Sequence, residues 1–200
     1  MQTEIEAKFL DIDSNSLRTK LKEVGAKLVY PERMMTRKVF DFSDHRLEKE
    51  GAWIRVRNEG DQVTLSYKKL VDRSLHGTKE ITVVVDDFEQ TCNLFLTLGF
   101  VQDSFQETKR EKWELDGCEI TIDSWPWIPT FVELEAPDET KIKFIAEQLS
   151  LDWGKALHGS VEIAYQKYYN VTEEEIDNWE RITFDPVPDW LEVKRKFVQN

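Results

Sequence analysis

The sequence predicts an α+β protein: eight antiparallel strands closed, or nearly closed, into a barrel, with helices packed outside. Three observations carry this. Eight short segments alternate polar and apolar residues with a period of two. A strand, an acidic turn and a helix recur at Glu4 to Gly25, Glu80 to Gly99 and Glu133 to Leu149. Most of the strands also place charged residues on one face, and a closed sheet with a charged interior must hold water, ions or a ligand.

Taken in order, Thr3 to Leu10 is the first strand. Its apolar face is Ile5, Ala7 and Phe9, and its polar face is Glu4, Glu6 and Lys8. Asp13 is placed to cap a helix whose apolar positions are Leu17, Leu21, Val24 and Leu28, with Gly25 as a stop. Strands follow at Thr36 to Phe42, Ala52 to Asn58 and Val63 to Lys69, the last two joined as a hairpin by Asn58-Glu59-Gly60-Asp61. Lys79 to Val85 is a fifth strand. Asp86 with Glu89 reads as a capping box for a helix running to Leu98 and ended by Gly99. Phe105 to Leu115, Cys118 to Asp123 and Thr130 to Ala136 complete the eight. Pro137-Asp138-Glu139 then opens a helix that buries Ile142, Ile145, Ala146 and Leu149. Ser160 to Tyr169 is amphipathic and helical. Residues 1–170 thus form one domain. Residues 171–200 form a tail of unassigned role, whose Trp179, Phe184 and Trp190 predict packing on the domain or a homodimer surface.

Composition narrows the function. With 39 acidic and 27 basic residues the formal charge is −12, a field that repels nucleic acid and anionic membrane surfaces. No apolar run is long enough to span a bilayer, and no signal-peptide pattern precedes the first strand. Cys92 and Cys118 lack metal-ligand spacing and read as buried, reduced thiols, which points to the cytoplasm. His45, His76 and His158 have no partner pattern.

Against this acidic background the bases are segregated between Arg33 and Lys112. Arg37 shares a face with Val39 and Asp41; Arg55 and Arg57 alternate with Ile54 and Val56; Lys68 ends a face made by Thr64 and Ser66; Arg110 and Lys112 share a strand with Asp123 closing the next. A solvated outer face accounts for any one of these. Together they are a set of phosphate-gripping groups. Glu4-x-Glu6 and Glu133-x-Glu135 each hold two carboxylates about 7 Å apart along a strand. Such pairs are comfortable in water or around a hard divalent cation such as Mg²⁺ or Mn²⁺. Trp125-Pro126-Trp127 reads as a packed bend, with Trp127 placed to border a barrel mouth.

Glu4-Ile5-Glu6-Ala7-Lys8 resembles the Glu-x-Glu-x-Lys signature of the CYTH superfamily, the triphosphate tunnel metalloenzymes. The similarity continues in order through Arg37 to Asp41, Trp53 to Arg57, Lys68, Glu80, Arg110, Asp123 and Phe131 to Glu135, covering about Met1 to Tyr169. It implies an eight-stranded tunnel that binds a triphosphate and one or two divalent metals. By the same resemblance Glu4, Glu6, Asp123, Glu133 and Glu135 are metal-site residues. Lys8, Arg37, Arg55, Arg57, Lys68 and Arg110 would hold the substrate, with Lys8, Glu133 and Glu135 closest to the chemistry. Glu80 matches an acidic position of the family, and Lys155 is the candidate for a late lysine near the tunnel mouth. The expected function is metal-dependent hydrolysis of a small-molecule triphosphate: inorganic tripolyphosphate, a nucleoside triphosphate or thiamine triphosphate. Two alternatives stand beside it. A class IV adenylate cyclase would use the same lining to form cyclic AMP and pyrophosphate, and a non-catalytic module would bind polyphosphate or nucleotide.

Overall fold

The computed structural model describes residues 1–196. In chain order the elements are β1 (Gln2–Glu4), β2 (Glu6–Phe9), α1 (Ser14–Glu23), β3 (Lys27–Phe42), β4 (Ala52–Asn58), β5 (Val63–Leu70) and β6 (Thr78–Val85). They continue with α2 (Phe88–Thr97), β7 (Phe100–Leu115), β8 (Cys118–Ser124), β9 (Phe131–Glu135), α3 (Glu139–Gln148), α4 (Glu162–Tyr168), α5 (Glu173–Asp177), β10 (Arg181–Ile182) and α6 (Asp189–Glu192).

Nine strands run in the order β1-β6-β5-β4-β3-β7-β8-β9-β2, with every neighbouring pair antiparallel. The ends of this path, β1 and β2, are consecutive in the chain with only Ile5 between them. The sheet therefore closes on itself. The expected α+β barrel is present, and the ninth strand arises because the first predicted strand divides at Ile5. There the backbone leaves β6 for β9, and the Ile5 carbonyl accepts a hydrogen bond from Ala136 N–H at 3.1 Å.

Closure sorts the side chains. Ala7, Phe9, Trp113, Ile120, Ile122, Val132 and Leu134 point outward and are covered by Leu17 and Leu21 of α1 and Ile142, Ile145 and Ala146 of α3. Phe40 and Val56 are covered by Cys92 of α2, with Phe95 packed alongside. The polar residues at alternating positions are left to face the interior. Asp13 caps α1 as expected, and α3 opens where Pro137-Asp138-Glu139 predicts, with Asp138 as its cap. The cap of α2 is Asp87, one residue later than the expected Asp86, and it accepts from Gln90 N–H.

Two strands exceed their predicted lengths. β3 begins at Lys27, so Leu28, assigned by spacing to the first helix, is strand; the helix stops at Gly25, whose φ is +81°. Its first half contains Pro31 at a register irregularity against β7 and pairs with no strand on its other side, which is where a proline is tolerated. β7 begins at Phe100 rather than Phe105. Its partner β8 pairs only with Lys109 to Leu115 of β7, which leaves an open edge on the earlier half.

The C-terminal segment occupies that edge. β10 pairs in parallel with Phe105 and Gln106, and Ile176, Trp179, Ile182 and Leu191 form one core with Trp125, Phe131, Tyr165 and Tyr169. The tail packs on the barrel.

Candidate active site

The barrel encloses a cavity of about 1260 Å³, lined by the polar faces of its strands and by part of the C-terminal segment. Register explains its electrostatics. Glu6 lies opposite Glu135, which lies opposite Glu119, so three carboxylates form one row across β2, β9 and β8. One step along, Lys8 lies opposite Glu133 and Glu133 opposite Thr121. On another part of the wall Arg37 lies directly opposite Arg57. Like charges placed opposite one another destabilise a sheet, so both rows call for counter-ions.

The protein supplies some of them. Lys8 is buried, with Nζ 2.9 Å from Glu6 and 2.7 Å from Glu133. Burial alone would lower its affinity for the proton, but Glu133 and Glu6 more than reverse this and hold it charged. Lys68 reaches Glu4 at 2.8 Å and Glu80 at 3.4 Å. Arg110 pairs with both oxygens of Asp123, at 2.6 and 2.7 Å, and donates to Glu133 at 3.1 Å.

The remainder is unbalanced. Glu4 Oε2 is buried with no hydrogen-bond partner among the described residues. Glu135 has no ion-pair partner among the described residues; burial and the charges of Glu4, Glu119 and Glu133 push its carboxyl up to about 7. Burial pushes Glu6 up to about 8 despite Lys8, with Glu133 adding to the rise. Desolvated oxygens gathered on one wall are the donor set that hard divalent cations take, and Glu4, Glu6, Glu133 and Glu135 fit such an ion. The basic wall is frustrated in the opposite sense. Arg37 and Arg55 each leave Nε buried and without a partner among the described residues. Burial, with neighbouring guanidinium groups, lowers Arg37 well below its ordinary range and Arg55 to about 9. These groups fit a polyanion.

Of the residues predicted from sequence, the cavity gathers Glu4, Glu6, Lys8, Arg37, Arg55, Arg57, Lys68, Arg110, Glu133 and Glu135, together with Glu80. Asp123 is placed differently. It lies behind Arg110, 1 % exposed, accepting from Arg110 and from Thr121 Oγ1 at 2.9 Å, and it is not part of the lining. Its position orients Arg110. Lys155 is exposed in the short turn Trp153–Lys155, away from the cavity. Trp125, not Trp127, borders the cavity; Trp127 packs against Trp179 and Trp190.

Glu59 escaped the sequence reading because it sits in the β4–β5 turn, though it continues the inward alternation of Arg55 and Arg57. It accepts from Arg57 Nε at 2.9 Å and from Thr64 Oγ1 at 2.9 Å. Burial would raise its carboxyl, but Arg57 and the hydrogen bonds outweigh this and bring it down to about 2. Glu119 was likewise signalled only by its alternation with Thr121 and Asp123. Asp41, His45 and Asp103 form a second potential ligand group at the rim. The Asp41 carboxylate already accepts the backbone N–H groups of Phe42, Leu47 and Glu48 and so fixes the β3–β4 loop. Cys92 and Cys118 are buried thiols, pushed up by burial to about 11 and about 12.

The CYTH domain family model matches residues 2–169. The chain belongs to the CYTH domain family. A relative from Methanocaldococcus jannaschii named "Putative adenylate cyclase" is 26% identical over 170 residues, covering 83% of this chain and 95% of its own. Among solved structures, a "putative adenylate cyclase" from Vibrio parahaemolyticus superposes with a TM-score of 0.71 at 14% identity, covering 82% of this chain and 98% of that one. A Hippeastrum protein, described as a "putative adenylyl cyclase" that "reveals a dominant" triphosphatase activity, gives 0.54 at 12% identity, covering 88% and 95%. At these identities the two structures establish the CYTH fold alone. Among the described residues no helix is long and apolar enough to cross a membrane.

Proposed function

We propose that this CYTH protein hydrolyses a small-molecule triphosphate with the help of Mg²⁺ or Mn²⁺. The observation that carries the reading is the division of one enclosed cavity into an acidic wall and a basic wall, each with buried, unsatisfied polar atoms. A metal-bound triphosphate satisfies both at once. Pure anion binding would require the arginines and leave Glu4, Glu6 and Glu135 unexplained. A divalent ion held by Glu4, Glu6, Glu133 and Glu135 would draw off charge from phosphate oxygens.

The chain's own groups divide the remaining work. Arg37, Arg55 and Arg57 grip the phosphate chain, with Arg110 held in place by Asp123 and Glu133. Arg57 exchanges its bond to Glu59 for the substrate. Lys8 keeps Glu6 and Glu133 at fixed spacing and offers its remaining N–H to a phosphate oxygen. Glu133, taken by Lys8 and Arg110, is poorly placed to accept a further proton. Were the ion held by Glu4, Glu6 and Glu133 alone, Glu135, without an ion-pair partner among the described residues, would be left to take a proton from the attacking water. No serine, cysteine or histidine is needed as a nucleophile, because in-line attack on a positioned phosphoryl group is an electrostatic problem.

Cyclisation of ATP is the second reading, favoured by the name of the Methanocaldococcus relative. It would use the same walls with a ribose hydroxyl as nucleophile. Incubation with ATP, tripolyphosphate and thiamine triphosphate, each with Mg²⁺ or Mn²⁺, separates the readings by product. Orthophosphate supports hydrolysis. Pyrophosphate with cyclic AMP supports cyclisation, and no turnover with metal-independent binding rejects both.

A further inference from the structure

The family match ends at residue 169, yet the segment that follows is packed against the phosphate-gripping wall. We propose that this C-terminal segment positions Arg37 through an aromatic relay of Trp179, Tyr165 and Trp125. The inference rests on the reading of the cavity as a triphosphate site only for its functional consequence.

Arg37, like Arg55, is a buried cation with few partners of its own. Among the described residues its guanidinium has one hydrogen bond, to Thr108 Oγ1 at 2.9 Å, and Nε has none. What orients the group otherwise is the Trp125 ring, whose centre lies 4.6 Å from Cζ. A cation over an indole face is attracted most when both are desolvated, as here. Trp125 in turn stands edge-to-face against Tyr165, with centroids 6.4 Å apart and planes at 87°. Tyr165 stands edge-to-face against Trp179, at 5.2 Å and 89°. Each contact fixes the plane of the next ring.

The bend carrying Trp125 is not set by its own sequence. Trp127 has φ of +70°, a strained value for a non-glycine residue. Tyr165 of α4 and Tyr169, the residue that follows the helix, hold the bend by donating to the carbonyls of Pro126 and Trp127, at 3.0 and 2.7 Å. Trp127 Nε1 donates to the carbonyl of Asp185 in the C-terminal segment. Trp179 is itself fixed to the barrel, because Ser104 Oγ donates to its carbonyl at 2.7 Å and Phe105 N–H donates to the next carbonyl, of Glu180. Trp125, Tyr165 and Trp179 are thus positioning residues.

The test uses the full chain. The Arg37 Nε–H signal, assigned by its loss in Arg37→Lys, reports the guanidinium's place over the indole without any ligand. It should move in Trp125→Leu and in Trp179→Leu, and move less in Trp179→Phe. Tripolyphosphate binding, measured with Mg²⁺ present, should weaken about tenfold in Trp125→Leu and recover to within about threefold of wild type in Trp125→Phe. In an Arg37→Met background, which carries no cation for the indole to hold, Trp125→Leu should have no further effect, which a merely structural role would not produce. An unmoved Arg37 signal in Trp179→Leu overturns the relay, as does a full Trp125→Leu effect on the Arg37→Met background. If Trp179→Leu does not fold, the Trp125 variants and their cycle with Arg37 decide the matter. A moved signal in a protein that does not bind tripolyphosphate upholds the relay and rejects the triphosphate reading instead.

Discussion

Replacing Lys8 by methionine would test whether the acidic wall is desolvated, the property on which the metal argument depends. The ammonium lies between Glu6 and Glu133, with side-chain exposures of 6%, 12% and 14% for the three residues. At an effective dielectric constant of about 20, each contact near 2.8 Å carries roughly 6 kcal/mol of attraction, much of it offset by desolvation. Breaking a buried pair while leaving the other charge behind costs about 3–5 kcal/mol. Glu133 keeps Arg110 at 3.1 Å, so Glu6 is the main orphan; burial holds its carboxyl at about 8, so the lower end of that range, about 3 kcal/mol, is expected at about pH 9, where Glu6 is ionised, and less at neutral pH. Urea unfolding in chelator at about pH 9 measures the loss. Adding Glu6→Gln to Lys8→Met should recover most of it, because the penalty is the unpaired charge. A loss below about 1 kcal/mol for Lys8→Met, the range of exposed pairs, would mean that water reaches these carboxylates freely. The case for a cation between them would then fail.

Three further outcomes follow from the same geometry. Glu4→Gln or Glu6→Gln should reduce metal-dependent turnover at least about a hundredfold while circular dichroism stays unchanged, since each removes a ligand without removing volume; near-normal turnover in either variant would remove that residue from the metal site. Arg55→Ala and Arg57→Ala should each weaken tripolyphosphate binding by about tenfold or more and orthophosphate binding less, as read by calorimetry; equal losses for both ligands would mean these guanidinium groups do not span a phosphate chain. Glu59 should shape acid stability. Its carboxyl lies at about 2 in the fold against an ordinary 4.5, so its contribution is full above about pH 4.5 and lost as pH falls toward 2. Glu59→Gln should therefore cost up to about 3 kcal/mol at neutral pH and almost nothing near pH 2, and parallel stability curves for the two proteins would contradict the assignment.

The barrel was legible because strand alternation is a local property. Once Ala7, Phe9 and Val56 are assigned to the covered side, Glu6, Lys8, Arg55 and Arg57 must take the other side, whatever the neighbouring strands are. The three strand–turn–helix units were legible for the same reason, through Asp13, Gly25, Gly99 and Asp138. Strand lengths were less so. Pro31 and the polar residues around it hide the first half of β3, and only the long partner strand β7 makes that stretch extended.

What the sequence determined by itself is the set of inward faces and the kinds of charge on them, since a period of two is written into each segment independently. Which charges meet was decided only by the tertiary structure. Register put Arg110 against Asp123, so that this acid orients an arginine instead of lining the cavity, and left Lys155 outside. The open edge of β7 drew the C-terminal segment onto the barrel and brought Trp179 within reach of the Arg37 wall. Pairings of this kind join residues up to a hundred or more positions apart, and only the closing of the sheet selects them.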